Sequence, residues 1–243
     1  MSGAAVAIGI VDAPVRLTIR HVYDFAGDRA LVGDDLVRPQ AWDALRTQTT
    51  GPFALPDDRA AWIANAEADE ALGARADAID RWLRDAGASS VASYGAGTGA
   101  LEWLLACRAP ERRMTATDFG PETVARLAGL FEEATVRTHD LLRDPPLRAD
   151  VHLLHRVDTE LTDDEFRAVL RAFERERVLV VATGVLAIAD VALMALQRVR
   201  RRHLTRAGWA RSRGAFEALW RPTHDATALT VHDLAAWDLR PRR

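Results

Sequence analysis

Ser93-Tyr94-Gly95-Ala96-Gly97-Thr98-Gly99-Ala100 decides how this chain is read. Val91–Tyr94 before it is a short apolar strand, and Gly99–Cys107 after it has a helical pattern. Glycines at such a turn let a ligand lie against bare backbone and let the chain adopt φ values that other residues resist. The helix that follows adds outward N–H groups and a partial positive charge. The next strand, Met114–Thr117, is closed by Asp118, nineteen residues beyond Gly99. An acid at that distance is placed to accept from the hydroxyls of a ribose.

The loop satisfies two patterns at once. Gly95-x-Gly97-x-Gly99 suits S-adenosylmethionine, and Gly95-x-Gly97-x-x-Ala100 suits NAD. The chain outward from the loop continues as strand and helix in alternation. Thr135–Thr138, Val151–His155 and Val178–Thr183 read as further strands, and Pro121–Glu133 and Thr162–Glu174 as helices. That alternation means βαβ units and a parallel sheet. Val178–Ala182 is apolar on both faces, as expected of a strand covered on both sides. A long helix is expected from Leu186 to about His203, ending in the Arg198–Arg202 run, and a shorter one over Arg213–Trp220. Ala226–Val231 and Ala235–Leu239 read as a final antiparallel strand pair.

The segments in series resemble the class I S-adenosylmethionine-dependent methyltransferase family. Val91–Gly99 is similar to its first motif, Ala116–Glu122 to its second strand, Thr138–Leu141 to its third and Ala149–Val157 to its fourth. The resemblance implies an α/β fold: a seven-stranded, mostly parallel Rossmann-like sheet with a C-terminal antiparallel pair. It implies S-adenosylmethionine as cofactor, bound by Tyr94, Gly95, Ala96, Gly97 and Gly99. Asp118 would hold the ribose, Phe119 would flank the adenine, and Asp140 with Leu141 would meet its amino edge; Asp140 equally suits an N-cap. The family carries an acid two residues before the first loop glycine. Here that position is Ser93, so either another acid substitutes or the cofactor is held less tightly.

Ligands of open α/β sheets lie beyond the carboxyl ends of the strands. There the fourth strand runs into His155-Arg156-Val157-Asp158-Thr159-Glu160. His155 is the candidate base and a cofactor contact. Asp158 or Glu160 would orient it, and Arg156 would grip an anionic substrate. Thr162 with the acids after it reads as a helix cap.

Residues 1–86 are expected to form a mainly helical extension that covers substrate, ahead of a core over 87–243. Val15–Tyr23 reads as a short strand, Pro39 opens a helix to about Thr47, and Asp57 caps a helical pattern to Asp85. Tyr23, Phe25, Trp42, Phe53 and Trp209 are candidate pocket walls.

Composition narrows the chemistry. All 32 basic residues are Arg, which removes Schiff-base, P-loop and Tyr-x-x-x-Lys lysines. Cys107 is the one cysteine, so a disulfide within the chain and a thiolate zinc site are excluded, and its apolar surroundings read as core. No HExxH occurs, and no metal is expected. The net charge of -3 gives no reason to expect a nucleic-acid partner. No apolar run is long enough for a membrane span and the first residues lack a basic signal region, so the expectation is cytoplasmic. The sequence therefore reads as a methyltransferase for a small acceptor, a sugar or secondary metabolite, and nothing in it excludes a homodimer. An NAD-dependent oxidoreductase and a non-catalytic partner subunit of the same fold stay open.

Overall fold

The computed structural model describes residues 15–23, 39–48, 53–187, 191 and 205–242. Its strands are β1 (Thr18–Tyr23), β2 (Ser90–Tyr94), β3 (Arg113–Asp118), β4 (Thr135–Thr138), β5 (Val151–His155), β6 (Val178–Val181), β7 (Thr205–Arg211), β8 (His224–Val231) and β9 (Leu234–Pro241). Its helices are α1 (Pro39–Arg46), α2 (Arg59–Ala68), α3 (Glu70–Asp85), α4 (Ala100–Arg108), α5 (Pro121–Leu130), α6 (Asp163–Ala172) and α7 (Arg213–Trp220).

Seven strands form one sheet in the order β4-β3-β2-β5-β6-β9-β8. β4, β3, β2, β5 and β6 run parallel. β9 enters antiparallel to both β6 and β8. The expected C-terminal pair is present, and the order reverses at β2, where β3 lies on one side and β5 on the other. Ligand crevices of open α/β sheets form at such a reversal.

Apolar residues pack on both faces. One layer joins α2, α3, α4 and α5 to the sheet through Trp62, Ile79, Leu105 and Leu127. The other joins α6 and α7 through Phe166, Phe216 and Trp220. All four residues of β6 are buried, which accounts for its two-sided apolar sequence. Thr162 and Glu165 form a reciprocal cap that starts α6.

Several sequence expectations need correction. The helical pattern from Asp57 is two helices, broken at Asp69, whose side chain accepts from Leu72 N–H and starts the second. Asp58, not Asp57, caps the first, accepting from Ala61 N–H at 2.8 Å. Cys107 is exposed: α4 turns Leu104, Leu105 and Ala106 inward and carries the next residue outward. Leu186 is not helical, because its N–H donates to the Arg211 carbonyl. Most of the helix expected after it, with the Arg198–Arg202 run, lies outside the described residues. β7 has no counterpart in the sequence reading. It pairs antiparallel with β1 as a separate two-stranded sheet. Among the described residues, no helix is long and apolar enough to cross a membrane.

Candidate functional site

The loop after β2 takes the conformation its glycines permit. Gly95, Gly97 and Gly99 have φ of 71°, 61° and 70°, a region that other L-residues enter only with strain. Thr98 is anchored from the N-terminal part of the chain, since Trp62 Nε1 donates to its carbonyl at 2.8 Å. Asp118 stands beside the loop. Its Oδ2 accepts from Gly97 N–H and its Oδ1 from Gly120 N–H, each at 3.0 Å. Burial pushes this carboxyl above its ordinary range, opposed by those two donors. The acid and the bare backbone are thus brought together as expected.

Ser93 is fully buried under the loop and donates to Glu102 Oε1 at 2.6 Å. Glu102 is the third residue of α4 and is buried. Its Oε2 has no hydrogen-bond partner, and burial pushes the group to about 7. A second acid therefore does lie where the sequence had left a gap.

Arg46 and Val157 lie against the first two glycines of the loop. A Cβ built on Gly97 would stand 2.5 Å from Arg46 Nη2, and one on Gly95 would stand 2.5 Å from Val157 Cγ1. Arg46 belongs to α1 and donates through Nη1 to the Phe53 carbonyl at 3.1 Å. Its guanidinium lies over Trp42 and Phe53, 5.3 and 5.7 Å from the ring centroids. Burial lowers its pKa, while Asp118, Glu160 and Asp43 act to raise it. Asp43 ties α1 to the start of α5: its Oδ1 accepts from Thr123 N–H at 2.9 Å and from Thr123 Oγ1 at 2.7 Å.

The segment after β5 divides by role. Burial holds His155 at about 3, and its Nε2 is buried without a partner. Arg156 is exposed with φ of 60°. Asp158 is turned to Thr183: its Oδ1 accepts from Thr183 N–H at 2.8 Å and Thr183 Oγ1 at 2.9 Å. Glu160 is half-buried and pushed to about 7 by burial, opposed by hydrogen bonds from Thr159 and Trp42. His155, Asp158 and Glu160 share one segment, but Asp158 turns to Thr183 and Glu160 to Thr159, and the Nε2 of His155 receives neither acid.

The remaining expected residues fall as follows. The Tyr94 side chain is core, its hydroxyl 3.0 Å from His152 Nδ1 and accepting from Leu147 N–H. Only its backbone faces the loop. Ala96 N–H donates to the Thr117 carbonyl. Phe119 and Leu141 are half-buried. Asp140 Oδ1 accepts from Leu142 N–H at 2.9 Å, the turn-capping role. Trp42 and Phe53 meet edge to face at 5.4 Å beside Arg46. Trp209 N–H donates to the Thr159 carbonyl. The side chain of Tyr23, and Phe25 altogether, lie outside the described residues. Among the described residues, no group of acids, histidines and cysteine could hold a metal ion.

The sequence reading missed Asp43, Arg46 and Glu102. For Asp43 and Arg46 no local signal exists. For Glu102 there was one: a single acid inside the apolar run Leu101–Ala106, seven residues after the first loop glycine.

No protein-family model matches this chain, and no curated protein sequence does. Solved structures do. Human N-acetylserotonin methyltransferase in complex with S-adenosylmethionine superposes with a TM-score of 0.57 at 18% identity, over 76% of this chain and 57% of that one. TnmH gives 0.59 at 22%, over 86% and 60%. An O-methyltransferase from neocarzinostatin biosynthesis, solved with S-adenosyl-L-homocysteine and 1,4-dihydroxy-2-naphthoic acid, gives 0.52 at 19%, over 69% and 57%. The chain spans less than two thirds of the length of each, and the likeness is one of fold.

Proposed function

We propose that this chain, which has the class I methyltransferase fold, transfers a methyl group from S-adenosylmethionine to a small-molecule acceptor. The observation that carries the reading is the charge around the glycine loop. Asp118 touches the loop, Glu102 lies beneath it, and Asp43 and Glu160 act on Arg46, which covers it. Such a lining repels a pyrophosphate and suits a ligand that carries positive charge. The NAD reading of the loop is disfavoured on that ground.

The residues fit the cofactor. Each Asp118 oxygen accepts one backbone N–H and keeps a lone pair for a ribose hydroxyl. Gly95 and Gly97 offer bare backbone once the Val157 and Arg46 side chains turn aside, and the Arg46 contact is the far end of a flexible chain. Phe119, Asp140 and Leu141 would line the adenine. Bound S-adenosylmethionine supplies an electrophilic methyl group on sulfur, and positioning with exclusion of water provides much of the acceleration.

Of the three candidates at and beyond the end of β5, Glu160 fits a base, because a carboxyl near 7 matches neutral pH. His155, held near 3, is too weak a base. Asp158 braces Thr183 instead. Arg156, exposed at the strand end, would meet an anionic substituent, and Trp42 with Phe53 would wall a planar acceptor. The naphthoic acid bound to the neocarzinostatin enzyme makes hydroxylated aromatics the first class to test. A cytoplasmic location, residues 1–86 as substrate cover and a homodimer are parts of the same reading.

Calorimetry tests the reading. S-adenosylmethionine and S-adenosylhomocysteine should bind the wild type at micromolar concentration, and Asp118→Ala should weaken both about tenfold or more. No heat from either ligand would defeat the assignment. A second reading, a non-catalytic partner subunit, is favoured by Arg46 and Val157 over the loop. Silence from both ligands, with a second protein co-purifying, would support it.

A further inference from the structure

We propose that Glu102, carried on α4 and held by Ser93, is the acid that recognises the α-ammonium group of the ligand's amino-acid end. The inference rests on the methyltransferase reading and adds to it a residue from an element where a binding acid is not expected.

Glu102 is 2% exposed, and its two oxygens are unequally used. Oε1 takes the Ser93 hydroxyl at 2.6 Å, whereas Oε2 is buried with no partner. Its own N–H at the start of the helix also favours the carboxylate, and Asp118 from β3 is the charged group that opposes it. A buried carboxylate oxygen left unpaired costs free energy unless a donor or cation reaches it. No packing need explains an acid here, since its neighbours Leu101, Trp103, Leu104 and Leu105 are all apolar.

Position supplies the rest. Ser93 lies two residues before Gly95, at the end of the strand that delivers the loop. The carboxyl therefore sits between the end of β2 and the start of α4, under the backbone where the amino-acid portion would rest. Ser93 is too short to reach a ligand but fixes the longer acid by one strong hydrogen bond.

The test compares three ligands on wild type, Glu102→Gln and Ser93→Ala by calorimetry, with thermal melts to verify folding. S-adenosylhomocysteine carries ammonium and carboxylate, its decarboxylated analogue carries ammonium alone, and 5′-methylthioadenosine carries neither. Glu102→Gln should weaken the first two roughly tenfold and leave the third unchanged. Ser93→Ala keeps the acid and removes its anchor, so it should give a smaller loss with the same selectivity. Equal effects on all three ligands, or none, would overturn the role of Glu102 while leaving the methyltransferase reading intact. If the wild type binds none of the three, both fall.

Discussion

Glu102 and His155 both sit buried with an unpaired atom, and they tie stability to pH in opposite directions. Glu102 is raised from its ordinary 4.5 to about 7 by burial, so the folded chain binds a proton that the unfolded chain releases. Stability is then flat below about 4.5, declines toward 7 and stays lower above it, by about 3 kcal/mol for this group. Glu102→Gln should match the wild type in acid and exceed it by up to about 3 kcal/mol near pH 8, read from urea midpoints without ligand. A variant that weakens ligand yet strengthens the fold marks a residue kept for binding. His155 is lowered from 6.5 to about 3 by burial, so the folded chain keeps it neutral where the unfolded chain protonates it. That contribution is present above 6.5 and is lost as the pH falls toward 3. Arg156 adds strain of another kind. Its φ of 60° suits glycine, and Arg156→Gly should stabilise the fold by about 1 kcal/mol. A loss of stability instead would mean that the side chain makes a contact worth more than the strain.

The glycine loop and Asp118 were legible because both follow from local chemistry: a turn, a helix start and a strand end in fixed order. Helix α1 was legible as a helix from Pro39, but its role was not. Asp43 reaches Thr123, eighty residues along the chain, and no short-range pattern encodes such a contact. α5 has no side-chain cap of its own at Gly120, and Asp43 supplies one from a distance. Asp43→Ala should cost about 1–2 kcal/mol. Hydrogen exchange should show faster exchange in α1 and the first turn of α5, with α6 unchanged. β7 was illegible for a different reason. Thr205–Arg211 carries Gly208 and two arginines, so apolar alternation is absent. The fully buried Arg211 is satisfied by Asp163 and by carbonyls of Asp158 and Leu161, a network that only the folded chain reveals.

The N-terminal helices and the sheet share one apolar layer, so they should unfold together. Trp62 of α2 packs on Trp103 and Phe131, with ring centroids 5.9 and 5.4 Å away, and also holds Thr98. Trp62→Ala should cost about 3–5 kcal/mol. Circular dichroism and fluorescence should follow a single coincident transition in both proteins. An earlier, separate transition of the first helices would contradict that. The guanidinium resting on Gly97 gives binding the character of an exchange. Any guest arriving at this crevice must evict a resident of the chain itself, and the arginine, once evicted, needs somewhere to go. If the crevice stands vacated only a tenth of the time, apparent affinity is about tenfold weaker than intrinsic affinity. Arg46→Ala would remove that internal rival.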